Sequence, residues 1–136
     1  MGKVLTLVGS VLGFAALFVA TIFLASESGE VVTLTTYDAA GAPHASRIWV
    51  VDDVGAQWLR AGLRRNAWYQ RLVAHPEIEV RRGAVSGRYR AVAVETDAAR
   101  DRVHALMAAK YGLADRYISM IRDGKGSVAV RLDPLP

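Results

Sequence analysis

Cysteine is absent from the 136-residue sequence, which excludes disulfide frameworks, zinc–thiolate sites, iron–sulfur clusters and a thiol nucleophile. Familiar catalytic and nucleotide-binding motifs are also missing: the sequence has no GxGxxG, Walker, GxSxG or HExxH pattern. The histidines, His44, His75 and His104, are scattered without metal-ligand spacing, so we predict no metal site. If the protein performs chemistry, we expect a bound cofactor to carry it.

Charge is missing from residues 4–25, and this segment explains why a chain with 22% charged residues has a mean hydropathy of +0.19. A helix of this length spans about 33 Å, enough to cross a hydrocarbon layer of about 30 Å. We predict an uncleaved single-pass anchor over residues 1–27, which places the protein in the cell membrane with the lipid bilayer as a partner, and a globular domain over 28–136. A cleaved secretory signal is the alternative, but Phe23 stands where a small residue is needed before the cut.

The charges that flank this segment bear on its orientation. Only Lys3 and the amino terminus are positive before it, whereas Glu27 and Glu30 follow it. Taken literally, the positive-inside rule puts the amino terminus in the cytoplasm and the globular domain outside. We leave both orientations open at this stage.

Acidic residues are fewer than basic ones, 13 against 17, which gives a net charge of +4. Arginines occur in pairs at 64–65 and 81–82 and alternate with tyrosine at 88–90, a pattern that nucleic-acid binding would also use. The excess of positive charge is small and a membrane anchor is the wrong context, so we expect no nucleic-acid partner. For Arg88 and Arg90 we predict a solvated strand face.

Short runs rich in β-branched residues, separated by glycine, proline and aspartate, dominate the rest of the chain. Three segments have helical spacing, and Thr96 or Asp97 and Gly112 are suited to begin and end the longest one. The first three strands form a meander, so we expect antiparallel pairing and closure into a small barrel that hides its edges. The predicted strands cover residues 30–37, 44–51, 57–61, 78–80, 86–95 and 127–132, and the predicted helices cover 67–74, 98–111 and 114–122.

The loop from Gly62 to Asn66 is polar and basic and leads directly into the helix predicted at 67–74. Amide groups at the start of that helix and the guanidinium groups of Arg64 and Arg65 can together hold a phosphate. This loop is the best candidate anion site in the sequence.

Four aromatic residues lie in the strands and the helix around this loop. Trp58 and Trp68 are predicted to be core residues. Trp49 and Tyr69 flank the strand and loop that would build the anion site, so a planar ring could lie against them.

The order of these motifs resembles the split-barrel flavin-binding superfamily, to which pyridoxamine-phosphate oxidase belongs, and most closely its deazaflavin-dependent nitroreductase and quinone-reductase branch. The similarity covers about residues 32–135. It rests on Leu34-Thr-Thr36, Arg47-Ile-Trp49, Trp68-Tyr69-x-x-Leu72, His75-Pro76-Glu-Ile-Glu-Val80 and Arg88-Tyr-Arg-Ala91. The implied fold is α+β, a mostly antiparallel, six-stranded split β-barrel with inserted helices, here preceded by one N-terminal transmembrane helix.

The resemblance implies that a deazaflavin (coenzyme F-420), or alternatively FMN, binds in a groove along the barrel. Its phosphate is assigned to Arg64, Arg65 and Asn66, and the rest of the groove to Arg47, Trp49, Ala61, Gly62 and Trp68. The family loop commonly reads asparagine-proline-x-tryptophan. In this chain Asn66-Ala67-Trp68 is one residue shorter and lacks the proline.

The implied function is that of a membrane-anchored oxidoreductase that transfers a hydride from the reduced deazaflavin to a lipophilic acceptor such as a quinone or nitro compound. Tyr69 is the candidate proton donor, and a homodimer is expected. Two alternatives stay open: a non-enzymatic module that binds flavin or heme, and a structural membrane protein whose barrel dimerises. Reduced deazaflavin is made in the cytoplasm, so the reductase hypothesis conflicts with the orientation that the charges favour.

Overall fold

The computed structural model describes residues 2–27, 29–122 and 124–136. The strands are β1 Val31–Tyr37, β2 Pro43–Asp53, β3 Ala56–Ala61, β4 Glu77–Arg82, β5 Val85–Val94 and β6 Val128–Pro134, and the helices are α1 Gly2–Glu27, α2 Ala67–Ala74, α3 Asp97–Tyr111 and α4 Leu113–Ile121. The strands close into one antiparallel barrel in the order β1–β2–β3–β6–β5–β4, with β4 paired back onto β1. The predicted six-stranded barrel with inserted helices is therefore confirmed.

Alternating side chains fill the inside of the barrel. In β1, Val32 and Leu34 are fully buried and their neighbours are partly exposed, which is the two-residue period of a sheet with one covered face. Inward side chains from all six strands form one core, and α2 adds Tyr69 and Leu72 to it. The other side of each strand faces outward and is therefore available for contacts with the helices.

A second apolar cluster lies on the outer side of the barrel, where α3 packs against β2, β3 and β6. Val103 and Met107 of α3 meet Val51 and Ala129 of the strands, and Trp58 is partly buried against the same cluster. Helix α3 is thus held at a fixed position beside the strands.

The bounds of most elements follow the sequence pattern. Helix α2 covers the predicted residues, and α3 begins after Thr96, whose side-chain oxygen accepts a backbone N–H at 3.2 Å, and ends at Gly112 with φ 54°. Strand β4 is longer than the predicted 78–80, because the charged residues at its ends alternate outward while Ile78 and Val80 point inward.

The amino-terminal helix α1 has 26 residues. Its described apolar side chains from Val4 to Val19 are more than half exposed. By length and composition, the segment Gly2–Ala20 is the one candidate membrane span within the described residues, and a signal sequence would meet the same criteria. The structure therefore contains the apolar helix that the sequence predicts, and the division at residues 27 and 28 stays a prediction.

The chain that follows α1 is fixed to the barrel by charge. The Glu30 carboxylate accepts hydrogen bonds from Arg82, at 2.8 Å to each of two nitrogens, and from Lys110 Nζ at 2.6 Å. These cations, Arg82 first, lower the pKa of Glu30 to about 2. Arg82 also holds both oxygens of Asp52 at 2.8 Å and lowers the pKa of that carboxyl.

Tyr111, the last residue of α3, fixes the same junction from the other side. Its hydroxyl donates to the Glu30 carbonyl at 2.6 Å and accepts from the Val50 N–H at 3.1 Å. Burial raises the pKa of this hydroxyl, so it stays protonated and able to donate. The ring stacks on Trp49, with centroids 4.2 Å apart, and a Cβ added to Gly29 would lie 2.4 Å from it.

We expect the stabilisation due to Glu30 to be complete above about pH 4.5 and to be lost as the pH falls towards about 2, because folding lowers the pKa of this carboxyl. The free energies of unfolding of wild type and Glu30→Gln, measured by urea in detergent, should therefore converge over this range. A difference between the two proteins that stays constant down to pH 2 would contradict the assignment.

The two-residue turn between β2 and β3 has an unfavourable residue in it. Val54 and Gly55 both have positive φ, 48° and 75°, as two-residue hairpin turns with the twist of the strands require. Valine is β-branched and disfavours this conformation, and its side chain is 97% exposed, so packing offers no compensation.

Val54→Asn is expected to stabilise the protein by about 1 kcal/mol, because asparagine tolerates the left-handed conformation. The change is measured as the free energy of urea unfolding. Val85→Asn is the matched control, since Val85 is also exposed but begins the extended strand β5. No gain at residue 54, or an equal gain at residue 85, would show that backbone strain is not the cause.

Candidate functional site

A groove of about 920 Å³ lies along the outer side of the barrel, between β2 and β3 and the helices α3 and α4. This volume is in the range of cofactor pockets. Strand β2 contributes Arg47, Ile48 and Trp49, and the start of α2 contributes Trp68. The groove therefore has a partly apolar and aromatic wall on the strand side, against which a planar ring could pack.

A shielded ion pair joins the two sides of the groove. Arg60 of β3 and Asp115 of α4, with side chains 11% and 7% exposed, are linked from Nη2 to Oδ1 at 2.6 Å. The Nη1 atom of Arg60 lies 3.0 Å from Nδ1 of His104, whose Nε2 lies 3.0 Å from the Gly124 carbonyl. Since arginine only donates, Nδ1 of His104 accepts and Nε2 carries the hydrogen. These contacts fix α3 and α4 relative to β3.

Positive charge predominates among the described residues that line the groove, which include five basic and two acidic side chains. One of the acids, Asp115, is bound by Arg60, and the other, Asp101, is bound by Arg100 at 3.0 Å. The guanidinium of Arg122 passes close to Gly62, where an added Cβ would lie 2.7 Å from Nη1. The groove is therefore suited to an anionic ligand.

The structure brings together five of the residues that the sequence assigns to a cofactor. They line one groove and come from β2, the end of β3 and the start of α2: Arg47, Trp49, Gly62, Asn66 and Trp68. Trp49 and Tyr111 are stacked, so the side of the groove near Trp49 is supported by a second ring.

Three other predicted cofactor residues lie outside the groove lining. Ala61 is fully buried and belongs to the inner core of the barrel. Arg64 forms an ion pair with Glu95, at the end of β5, and both side chains are more than half exposed. Arg65 is exposed on the same loop. Contact of Arg64 with a phosphate in the groove would require this guanidinium to leave or to share Glu95.

The start of α2 lacks a side-chain cap. Asn66 occupies the N-cap position, but its side chain accepts no hydrogen bond from the first turn. Amide groups at such a helix start are suited to bind an anion, and Asn66 itself lines the groove. The phosphate position at this helix start stays a prediction.

Tyr69, the predicted proton donor, is 5% exposed and belongs to the inner core. Its hydroxyl lies 3.4 Å from Glu95 Oε1, and burial, followed by the charge of Glu95, raises the pKa of the phenol. The hydroxyl is therefore protonated, but it lies beside the Arg64–Glu95 pair and not in the groove lining. Its role stays a prediction.

Sequence reasoning missed the polar groups of the helical side. His104 and Asp115 follow Arg60 by 44 and 55 residues along the chain. Arg100 lies on α3 and Arg122 directly follows α4, and the sequence of both segments was interpreted only by its apolar spacing. The one signal in the sequence for this ion pair was Arg60, a charged residue in a strand of alternating polarity. The identity of its partner could not be predicted, because it depends on how α4 packs.

An antiparallel six-stranded barrel with helices on its outer side and a cationic groove between them defines a split-barrel cofactor-binding protein. Solved structures with the same fold are similar to the chain. They include a conserved hypothetical protein from Mycobacterium tuberculosis (21% identity, TM-score 0.64, covering 86% of this chain and 80% of that one) and a putative pyridoxamine 5′-phosphate oxidase from Listeria innocua (16%, 0.60, 86% and 93%). An F420 reductase is also similar (12%, 0.54, 79% and 88%). These likenesses show the fold.

The family model of the F420H(2)-dependent quinone reductases matches residues 21–131, and the chain belongs to this family. No curated protein matches the chain significantly. The family confirms the predicted deazaflavin cofactor, coenzyme F-420, and identifies the protein as a deazaflavin-dependent reductase. The groove fits this cofactor, because it combines a cationic lining and an uncapped helix start for the charged tail with apolar and aromatic side chains for the ring.

Asp115→Ala is expected to destabilise the protein by about 3–5 kcal/mol, because it leaves the Arg60 guanidinium buried without its carboxylate. Asp101→Ala is the matched control: Asp101 also lines the groove, but its side chain is 66% exposed, and we expect a change within about 0.5 kcal/mol. Urea unfolding in detergent measures both. Equal losses in the two variants would show that the Arg60 pair does not organise the groove.

Proposed function

We propose that the protein is a membrane-anchored reductase that transfers a hydride from reduced coenzyme F-420 to a lipophilic acceptor such as a quinone or nitro compound. The observation that carries this proposal is the cationic groove with an aromatic wall, present in a chain of the F420H(2)-dependent quinone reductase family. No conventional catalytic motif competes with it in the sequence. Membership of the family supports a deazaflavin-dependent reductase. The particular acceptor and the membrane anchor are proposed in addition.

The proposed task of the loop before α2 is to hold the phosphate of the cofactor. The first-turn amides of α2, Asn66 and the guanidinium groups of Arg64 and Arg65 supply donors of the right charge. Arg64 exchanges its ion pair with Glu95 for the phosphate, an exchange between two exposed partners that costs little. Binding at this loop would fix one end of the cofactor.

The other groove residues would position the ring and exclude water from it. Trp49, Trp68 and Ile48 offer apolar surface, and Arg47 adds positive charge on the same strand. When bound in its reduced form, the deazaflavin supplies the hydride. The protein contributes orientation of the reacting groups, which alone lowers barriers substantially, and Tyr69 is proposed to donate the proton.

Helix α1 is proposed to keep this site beside substrates that are dissolved in the bilayer. Its exposed apolar side chains would otherwise face water, and its length matches a hydrocarbon layer. The expected homodimer stays a prediction.

Arg64→Ala/Arg65→Ala is expected to weaken binding of reduced coenzyme F-420 by about tenfold or more, because charge-assisted hydrogen bonds to the phosphate are lost. Cofactor fluorescence gives the affinity, and oxidation of the reduced cofactor by a menaquinone analogue gives the rate. At saturating cofactor the rate should recover, since these residues bind and do not react.

The matched control is Arg88→Ala/Arg90→Ala, which removes the same charge from an exposed strand where the partners are Glu77 at 3.3 and 3.5 Å. This variant should bind the cofactor as the wild type does. Equal weakening in both double variants would indicate a general effect of charge. Failure of the wild type to bind either a deazaflavin or FMN would overturn the proposed function.

A further inference from the structure

Helix α4 has two chemically different faces. Asp115, Ile118 and Ser119 line the groove, as does Arg122 directly after the helix. At 3.6 residues per turn, the opposite face carries Leu113, Tyr117, Met120 and Ile121. These four side chains are exposed, three of them by 67 to 79%. A soluble surface seldom leaves a continuous apolar stripe of this kind uncovered, so this face, which we call the outer stripe, needs a partner.

The position of the outer stripe points to its partner. Helix α4 contacts α1 and begins two residues after Tyr111. Tyr111 in turn packs against Gly29, which lies two residues beyond the end of α1. If α1 crosses a bilayer, its last turn lies at the level where hydrocarbon meets headgroups. The outer stripe then lies at the same level.

The charges of α4 agree with this location. Its acidic residue, Asp115, is turned inward and bound to Arg60, whereas Arg116 is exposed. Arg122 follows directly after the helix. In the sequence, Asp123 follows Arg122. An amphipathic helix with an apolar face, an exposed arginine and no exposed acid between its first and last residues is the type that lies in a membrane interface.

We propose that α4 lies in the membrane interface with its outer stripe among the lipid acyl chains, and that it forms the wall between the bilayer and the cofactor groove. This inference rests on the proposed anchoring of α1. It gives the lipophilic acceptor a short route, because the other face of the same helix lines the groove. An acceptor dissolved in the bilayer reaches the site around α4 without crossing water.

The absence of cysteine allows a direct test, because any introduced cysteine is unique in the full-length chain. Nitroxide labels are placed at Met120→Cys on the outer stripe, at Val11→Cys in α1, and at Val54→Cys in the β2–β3 turn as the water-exposed control. All three native side chains are exposed, so labelling leaves the core intact. The proteins are reconstituted into vesicles of phosphatidylcholine and phosphatidylglycerol, and collisions with oxygen and with a water-soluble nickel chelate are compared.

We expect the ratio of oxygen to nickel collisions to be severalfold higher at residue 120 than at residue 54, and highest at residue 11. If residue 120 matches residue 54 while residue 11 is in lipid, the interfacial position of α4 is wrong and the anchor stands. If residues 11 and 120 both match residue 54, α1 does not lie in the bilayer, and this result overturns the proposed anchoring together with the proposed position of α4. Dipolar broadening between labels at residue 120 on two chains would assign the stripe to a second copy and would also overturn the proposal.

Discussion

The hydroxyl and ring of Tyr111 connect parts of the chain that would otherwise be independent. The hydroxyl bonds the Glu30 carbonyl and the Val50 N–H, and the ring stacks on Trp49 and leaves no room for a side chain at residue 29. One side chain at the end of α3 therefore sets the path by which the chain enters β1, the support of Trp49 in the groove and the point from which α4 starts. The position of the groove relative to the amino-terminal helix depends on it.

Charged side chains are concentrated in two places, at the junction around Glu30 and around the groove. Around Glu30, two cations and two carboxylates are matched and hold the junction together. Around the groove the balance is uneven: Arg60 is neutralised by Asp115, but further basic side chains remain in the lining. Among the described residues of the lining the basic side chains outnumber the acidic ones, which favours an anionic ligand, and the family to which the chain belongs depends on reduced coenzyme F-420.

The parts of the fold that local pattern determines could be predicted from the sequence. Helix α2 covers the predicted residues, Thr96 caps α3, and the alternation in β1 marks its inner face. The strand side of the groove was predictable too, because Arg47 and Trp49 share one face of β2 and the loop before α2 is short. The helical side was not, since the contacts of Arg60 with His104 and Asp115 depend on how α3 and α4 pack. Arg64 was expected at a phosphate, and its pairing with Glu95 depends on where β5 ends.

The close contact between Gly29 and Tyr111 shows that contacts with the barrel begin before the first strand. Strand β1 starts at Val31, but the two residues before it already belong to the barrel: Gly29 through its fit against a ring, and Glu30 through its bonds to Arg82 and Lys110. A shortened chain that begins at Gly29 retains all of these contacts. One that begins at the first strand leaves Arg82 and Lys110 without the Glu30 carboxylate, so the first strand does not mark the start of these contacts.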